Sequence, residues 1–428
     1  MERKMRLYRG LFFGLLGSVL AGVILGAADA GRDAGGDPGG TYRKLNVFAR
    51  VLTYVQNNYV EEIEDDKLIY SAIRGMVGTL DNHSIFLTPD QYKDMKDDTS
   101  GEFGGLGVEI HIRDGYPTVV APIDDTPASR AGLKTDDQIV EIEGRNTRNL
   151  DIFEVRRLLK GPAGSKVTFK IMRKGFKEPV THTLIREQIR MKSVESRMLE
   201  PGFGYVKIKS FQEHSYRQME DALTQLTKQA GGALRGLVLD MRNNPGGLFE
   251  QSVRIADMFV DEGVIVSTEG RSRKAGDKEM AHPKGTQPHY PMIVIVNGGS
   301  ASAAEIVAGA LQDHKRALVV GTPSYGKGSV QTIIELEDHS ALKLTIAKYF
   351  TPNHRSIQDH GIAPDVIIDE PLTLPTGEKP AKDGKDAAAP EKDKEPKKKP
   401  HPFGDDTQLR EAFGCFKDWD ALMKAGKK

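Results

Sequence analysis

The chain has 428 residues, 38% hydrophobic, with 45 glycines, which suits about two or three globular domains of α/β or α+β type. Lys+Arg and Asp+Glu both number 60, so no bulk charge draws it to nucleic acid, and a nucleic-acid partner is excluded as a first reading. Its one cysteine, Cys415, rules out an internal disulfide, a Cys-rich zinc site and a thiol dyad.

Met1 to Arg9 carries Arg3, Lys4, Arg6 and Arg9, and an uninterrupted apolar and small-residue run follows from Gly10 to Ala28. Ala28-Asp29-Ala30 supplies the small-x-small pattern of a signal-peptidase site. Residues 1–30 therefore read as a signal peptide, with an uncleaved anchor as the alternative. Basic residues ahead of the run keep that end cytoplasmic, so the remainder is expected to be exported. For a chain without an internal disulfide, the bacterial periplasm or the periplasmic face of the inner membrane is the expected location.

Residues 31–44 read as a Gly/Asp-rich linker. Leu45, Phe48, Val51, Leu52, Val55 and Tyr59, then Leu68, Ile69, Ala72, Ile73, Met76 and Val77, recur at helical spacing, giving an N-terminal helical region over 45–99. From Gly104 the period changes to that of strands, at Gly107–Ile112, Pro117–Ala121, Asp137–Gly144 and Lys166–Met172, with short helices at Thr126–Leu133 and Phe153–Leu159. Over 189–370, buried strands at Gly236–Asp240, Met292–Val296 and Ala317–Val320 alternate with helical patterns, an α/β layer with a largely parallel sheet. Pro375 to Pro402 contains no large apolar residue and is dense in Lys, Glu, Asp and Pro, so 371–404 reads as a disordered charged linker. In 405–428, Leu409, Ala412, Phe413, Phe416, Trp419 and Leu422 share one face of an amphipathic helix. That face either docks on another chain or folds back onto its own.

Ser302 lies in Asn297-Gly-Gly-Ser-Ala-Ser-Ala-Ala-Glu305, after a buried strand and at the start of a helix. Ser302-Ala-Ala-Glu305 fits a capping box, in which serine merely satisfies helical N–H groups. The same place suits a nucleophile, because a helix N-terminus stabilises developing negative charge. No histidine has a context that singles it out as a base, and no G-x-S-x-G elbow occurs. A lysine made neutral by burial serves instead. Lys327 in Tyr325-Gly-Lys-Gly-Ser329 is the candidate, against the plainer reading of a surface-loop lysine. A two-residue period puts Lys327, Ser329 and Gln331 on one face, where Gln331 can orient the amine. Gly321-Thr-Pro-Ser-Tyr-Gly-Lys327 matches a phosphate-binding loop except at Gly328, which lacks the Mg²⁺-binding hydroxyl, and a β-rich run follows where a helix is required. In Asp240-Met-Arg-Asn-Asn-Pro-Gly-Gly247, the glycines either bring N–H groups to an oxyanion or make a simple turn.

Residues 100–188 resemble a PDZ domain. Gly105-Leu106-Gly107-Val108 sits where that family binds a peptide's terminal carboxylate, with a following strand to which the peptide can add; a tight turn is the plainer reading. Ser300-Ala-Ser302-Ala-Ala-Glu305, Ala310-Leu-Gln-Asp313 and Tyr325-Gly-Lys327-Gly-Ser-Val-Gln331 resemble the C-terminal processing peptidase (tail-specific protease) family. Leu80-Asp-Asn-His-Ser-Ile-Phe-Leu87 agrees, with Asn82 where the family more often has proline. The resemblance spans about residues 45–370. It implies a ClpP/crotonase-like α/β core with an inserted PDZ domain and an N-terminal helical segment. It makes Ser302 the nucleophile, Lys327 the base and Gln331 their assistant. The oxyanion donors are the N–H groups of Ala303 and of Gly246, preferred to Gly247. The PDZ module is expected to bind substrate through Gly105, Leu106, Gly107 and Val108, and to gate the site through Lys160. Asp313 lies about 16 Å from Ser302 along the helix, which favours an ion pair or cap over catalysis. The expected activity is that of a serine endopeptidase acting on proteins or peptides with free C-termini, without metal or other cofactor. Further expected partners are a second copy, joined through the N- and C-terminal helices, and an activating adaptor. A non-catalytic PDZ adaptor is the rival reading.

Overall fold

The computed structural model describes residues 38–271, 276–369 and 403–425. The readings for residues 1–30 and for the charged segment up to Pro402 lie outside the described residues. The chain divides into two compact units, at Thr79 and Leu80. The first contains α1 (Pro38–Asn58) and α2 (Asp65–Val77), tied by the Gln56 amide donating to Asp65 (2.7 Å). Helix α1 starts at Pro38, seven residues before the helical region was expected to begin, with proline at a first-turn position where its missing N–H costs nothing.

The second unit opens with β1 (Ile85–Leu87) and α3 (Pro89–Ser100). Thr88 and Gln91 cap α3 reciprocally. The chain then passes through β2 (Glu102–Gly105), β3 (Val108–Arg113), β4 (Tyr116–Pro122), α4 (Pro127–Arg130), β5 (Gln138–Ile142) and β6 (Arg145–Asn146). It continues as α5 (Ile152–Leu159), β7 (Lys166–Met172), β8 (Val180–Ile185) and β9 (Glu187–Arg190). Strands β2 and β9 pair antiparallel, so entry to and exit from this module form one ribbon. Within it, β3-β4-β5-β7-β8 make an antiparallel sheet with β6 on β5, and β3 keeps a free edge. Alternation in β7 buries Val167, Phe169 and Ile171 against Ile139, Ile142 and Val155.

The larger layer contains β10 (Val194–Glu200), β11 (Phe203–Ile208), α6 (Ser215–Ala230), β12 (Gly236–Asp240), α7 (Phe249–Asp257), β13 (Val264–Gly270), β14 (Lys278–Met280) and β15 (Met292–Val296). There follow α8 (Ala303–Asp313), β16 (Leu318–Gly321), β17 (Ser329–Glu335), β18 (Ala341–Phe350), β19 (Val366–Ile367), α9 (Thr407–Gly414) and α10 (Trp419–Ala425). The main sheet runs β10-β11-β12-β15-β16-β19, parallel except at β10. Strands β12 and β15 are buried along their whole length, as a sheet covered on both faces requires. Leu237, Leu239 and Val294 point into the core shared with α6, α7 and α8, while Val238, Ile293 and Ile295 point into a second core.

Of the two readings of the C-terminal segment, that second core bears out the one in which it folds back onto its own chain. Leu409 and Ala412 are fully buried, Phe403 nearly so, and the Trp419 indole donates to the Met292 carbonyl (3.4 Å). The segment breaks at Cys415–Asp418 into two short helices that cover an otherwise bare apolar sheet face. The helical region expected up to residue 99 is also interrupted by a strand before its last helix. Ser84, held by Asp81, accepts from the Thr345 N–H (3.1 Å), and β1 pairs with β18 in a sheet ordered β1-β18-β13-β14, with β17 also on β18. Truncating Leu409 to alanine should cost about 2–5 kcal/mol. The emission of Trp419, the chain's only tryptophan, should then redden at a lower urea concentration; an unchanged midpoint would show that α9 contributes nothing to the core.

Candidate active site

Three loops leave the carboxyl ends of adjacent parallel strands β12, β15 and β16, where open α/β sheets form their sites. They are stitched together. Ser300, fully buried, donates through Oγ to the Met241 carbonyl (2.8 Å); the Ala301 N–H reaches Asn244 (2.9 Å), and the Tyr325 N–H reaches the Ser300 carbonyl (2.9 Å). Asn243 and Asn297 bond reciprocally across the same seam.

Ser302 sits at the N-terminus of α8 with φ 54 and ψ −114, a conformation costing a non-glycine residue about 1–3 kcal/mol. The Glu305 carboxylate takes the Ser302 N–H (2.7 Å), the reciprocal half of the capping box. The Ser302 hydroxyl faces the Glu305 N–H in the other half of that box. Half-buried Ser302 thus combines strain, a hydroxyl and a helix N-terminus.

Glu305 does more than cap. Fully buried, it accepts from the Ser324 hydroxyl (2.6 Å), the Gly326 N–H (2.7 Å) and the Lys327 N–H (2.9 Å). Its Oε2 receives both the Ser302 and the Lys327 N–H, which fixes the two backbones within two hydrogen-bond lengths of each other. The Lys327 ammonium has no hydrogen-bond or ion-pair partner among the described residues. Burial pulls its pKa below that of ordinary lysine, while the negative charge of Glu305 pulls the other way.

The remaining predicted residues fall out unevenly. The Gln331 amide donates to Ser329 Oγ (2.8 Å) rather than to Lys327. Strand β17 begins only at Ser329, so the strand period that relates Ser329 to Gln331 does not extend back to Lys327. Gly246 lies against Ser302: an added Cβ would stand 2.8 Å from Ser302 Cβ, and φ is 100. Its N–H, however, is taken by Asn244 Oδ1 (2.8 Å), whereas the N–H groups of Gly247 and Ala303 meet no acceptor among the described residues. Asp313 pairs with Arg355 and accepts from the Asn353 N–H (2.9 Å) at the far end of α8. No helix follows Lys327, so the phosphate-loop geometry is absent. Neither Asn244 nor Ser324 carried a sequence signal; Glu305 was visible only as a cap.

A second site lies in the β3–β8 module. Gly105, Leu106, Gly107 and Val108 line a groove of about 400 Å³ together with Arg156, Leu159 and Lys160. Gly107 has φ 72, and a Cβ there would stand 2.4 Å from Thr126, so only glycine fits. No described residue accepts from the N–H groups of Leu106 and Gly107. The Lys160 ammonium is 3.9 Å from Asp97 and 5.0 Å from the Phe103 ring centre; its contacts keep it at this groove rather than at Lys327 or Gln331.

The family model described as peptidase family S41 matches residues 202–368, and that described as a PDZ domain matches residues 118–173. The carboxy-terminal-processing protease of Bartonella bacilliformis is 43% identical over 333 residues, 78% of this chain and 76% of that protein. The carboxyl-terminal-processing protease of Synechocystis is 38% identical, covering 71% of each chain. A carboxy-terminal processing protease of Bacillus subtilis is 34% identical over 77% of this chain and 70% of its own length.

Glu305→Gln should unfasten the Lys327 loop. An amide nitrogen would face an N–H or hydroxyl that now donates to a carboxylate oxygen, at a cost of about 2–4 kcal/mol. Thermal unfolding should fall accordingly, and the amides of Gly326 and Lys327 should exchange faster with solvent. Wild-type protection in the variant would show that the carboxylate is not what holds the loop.

Proposed function

The chain belongs to peptidase family S41 and carries a PDZ domain, and from that premise we propose a carboxy-terminal processing protease with a Ser302–Lys327 dyad. The single observation that carries this reading is the Glu305 oxygen shared by the backbones of nucleophile and base. Unprotonated Lys327 removes the Ser302 proton, Oγ attacks the peptide carbonyl, and the tetrahedral oxyanion is held by the Ala303 N–H and a glycine N–H of the 240–247 loop. Gly247 is preferred to Gly246 for that glycine, because its N–H is free. Lysine then returns the proton to the leaving amine, and water hydrolyses the acyl-enzyme. Gln331 acts at one remove, by ordering Ser329 at the start of β17. The layered core, with its helix N-terminus at the sheet's carboxyl end, is of the ClpP/crotonase kind in this reading.

The PDZ groove supplies substrate. A terminal carboxylate meets the free N–H groups of Leu106 and Gly107, and the tail adds along the free edge of β3. Lys160, between Asp97 and the groove, is the residue through which occupancy would reach the protease core. Export follows from the basic and apolar residues 1–30; among the described residues no helix is long and apolar enough to cross a membrane. Self-association through α1, which exposes Leu45, Phe48, Val51 and Tyr54, completes the reading.

Ser302→Ala and Lys327→Ala should each lower casein digestion by about a thousandfold or more without changing the melting temperature; full activity in either variant refutes the dyad. Activity needs Lys327 without its proton, so it should rise with pH. Because burial lowers the lysine pKa, the midpoint should lie below the roughly 10.4 of free lysine. A peptide with an amidated C-terminus should lose about ten- to a hundredfold in kcat/KM, the worth of hydrogen bonds to a charged group. Equal cleavage of acid and amide would remove the PDZ carboxylate site from the proposal.

A further inference from the structure

Arg242 lies inside the 240–247 loop and is almost enclosed, with 11% of its side chain exposed. Its Nε and Nη2 donate to the buried Asp240 carboxylate (3.0 and 2.6 Å), which also takes the Arg242 N–H (2.9 Å) and the Tyr205 hydroxyl (2.8 Å). This half of the arrangement is local. The other half comes from the far end of the chain: Nη1 donates to Asp406 (3.1 Å) and Gln408 (2.9 Å), and Nη2 to Asp406 (2.7 Å). Gln408 in turn donates to the Ile368 carbonyl (2.7 Å), so the C-terminal segment also meets the end of β19 here.

A guanidinium presents its donors in a fixed planar fork. Asp240 fills one edge of Arg242, and the partners of Nη1 lie in the C-terminal segment. Burial disfavours ionised Asp406, yet the hydrogen bonds and charge of Arg242 outweigh it and hold its carboxyl below the usual range. Beyond Arg242, the loop goes directly into Asn243, bonded to Asn297; Asn244, bonded to Ala301; and Gly246 against Ser302.

We propose that Arg242 is a positioning residue of the oxyanion loop, and that Asp406 and Gln408 of the docked C-terminal segment are required to hold it. The segment is then part of the proteolytic machinery rather than a lid over the sheet. This rests on the oxyanion role given above to the 240–247 loop. Transition-state stabilisation depends on donors already aimed at the developing charge, so a loosened loop should lower turnover while leaving peptide affinity intact.

The test uses the full chain with Asp406→Asn, alone and with Gln408→Leu. Asparagine still caps α9, so the segment should remain docked, and Trp419 emission monitors that directly. The expected result is a fall in kcat of about tenfold or more, with KM within about twofold and Trp419 emission unchanged. The amides of Arg242 to Leu248 should exchange at least about tenfold faster, and Asp406→Glu should recover most of the turnover. Unchanged loop exchange in Asp406→Asn with the segment docked overturns the proposal. So does a loss of activity that the undocked or unfolded fraction fully accounts for. If Ser302→Ala leaves turnover intact, the dyad reading fails, and the exchange measurement still decides whether the segment holds the loop.

Discussion

Everything at the site depends on one buried carboxylate. Glu305 has no solvent exposure and no cation within ion-pair distance among the described residues, an arrangement that would ordinarily be costly. It is tolerated because four donors converge on it and because it occupies the first turn of α8, where the helix dipole favours negative charge. The donors come from two chain segments that share no secondary-structure element. Satisfying the charge therefore requires the loop after β16 to lie against the N-terminus of α8, and that requirement brings serine and lysine together.

The parallel sheet makes the convergence possible. Strands β12, β15 and β16 are neighbours and end level, so their loops emerge side by side. Each contributes a different part of the proposed site: backbone donors from the first, the strained serine from the second, the lysine from the third. Ser300 and Asn297 hold the first two loops to each other, and the Asn244 side chain anchors the first of them to β11 through the Ile208 carbonyl. Their bonds explain how Ser302 persists at a positive φ: the surrounding contacts over-determine it.

The places of Ser302 and Lys327, on which the proposed dyad rests, were marked in the sequence because each sits at a transition between strand and helix, or strand and loop, that period and glycine spacing reveal. The alternating face of β17 was legible too, but its extension back to Lys327 was not, since a strand period says nothing about where the strand starts. Gly246 was visible as a flexible residue, whereas the capture of its N–H by Asn244 depends on a side-chain rotamer that no local pattern specifies. The α8 capping box was visible and its chief use was not: Ser324, Gly326 and Lys327 lie about twenty residues downstream of Glu305, and only the fold brings them to it. At the C-terminus, amphipathicity announced an apolar face without naming its partner. The partner is a row of alternate residues on β12, β15 and β16, whose companion residues were already accounted for by the opposite core.

In the proposed dyad, holding the lysine with a carboxylate sets architecture against chemistry, because the same negative charge that positions Lys327 favours keeping its proton. Two features limit the conflict. The oxygens of Glu305 are engaged by N–H and hydroxyl dipoles whose positive ends face them, which weakens the field felt at the ammonium. The lysine, for its part, is half-buried without a counter-ion, so desolvation acts on it directly and outweighs the carboxylate. A peptide lying over the site would remove more water from Lys327 while leaving the bonded Glu305 unchanged. The balance therefore moves further toward the neutral amine when substrate is present.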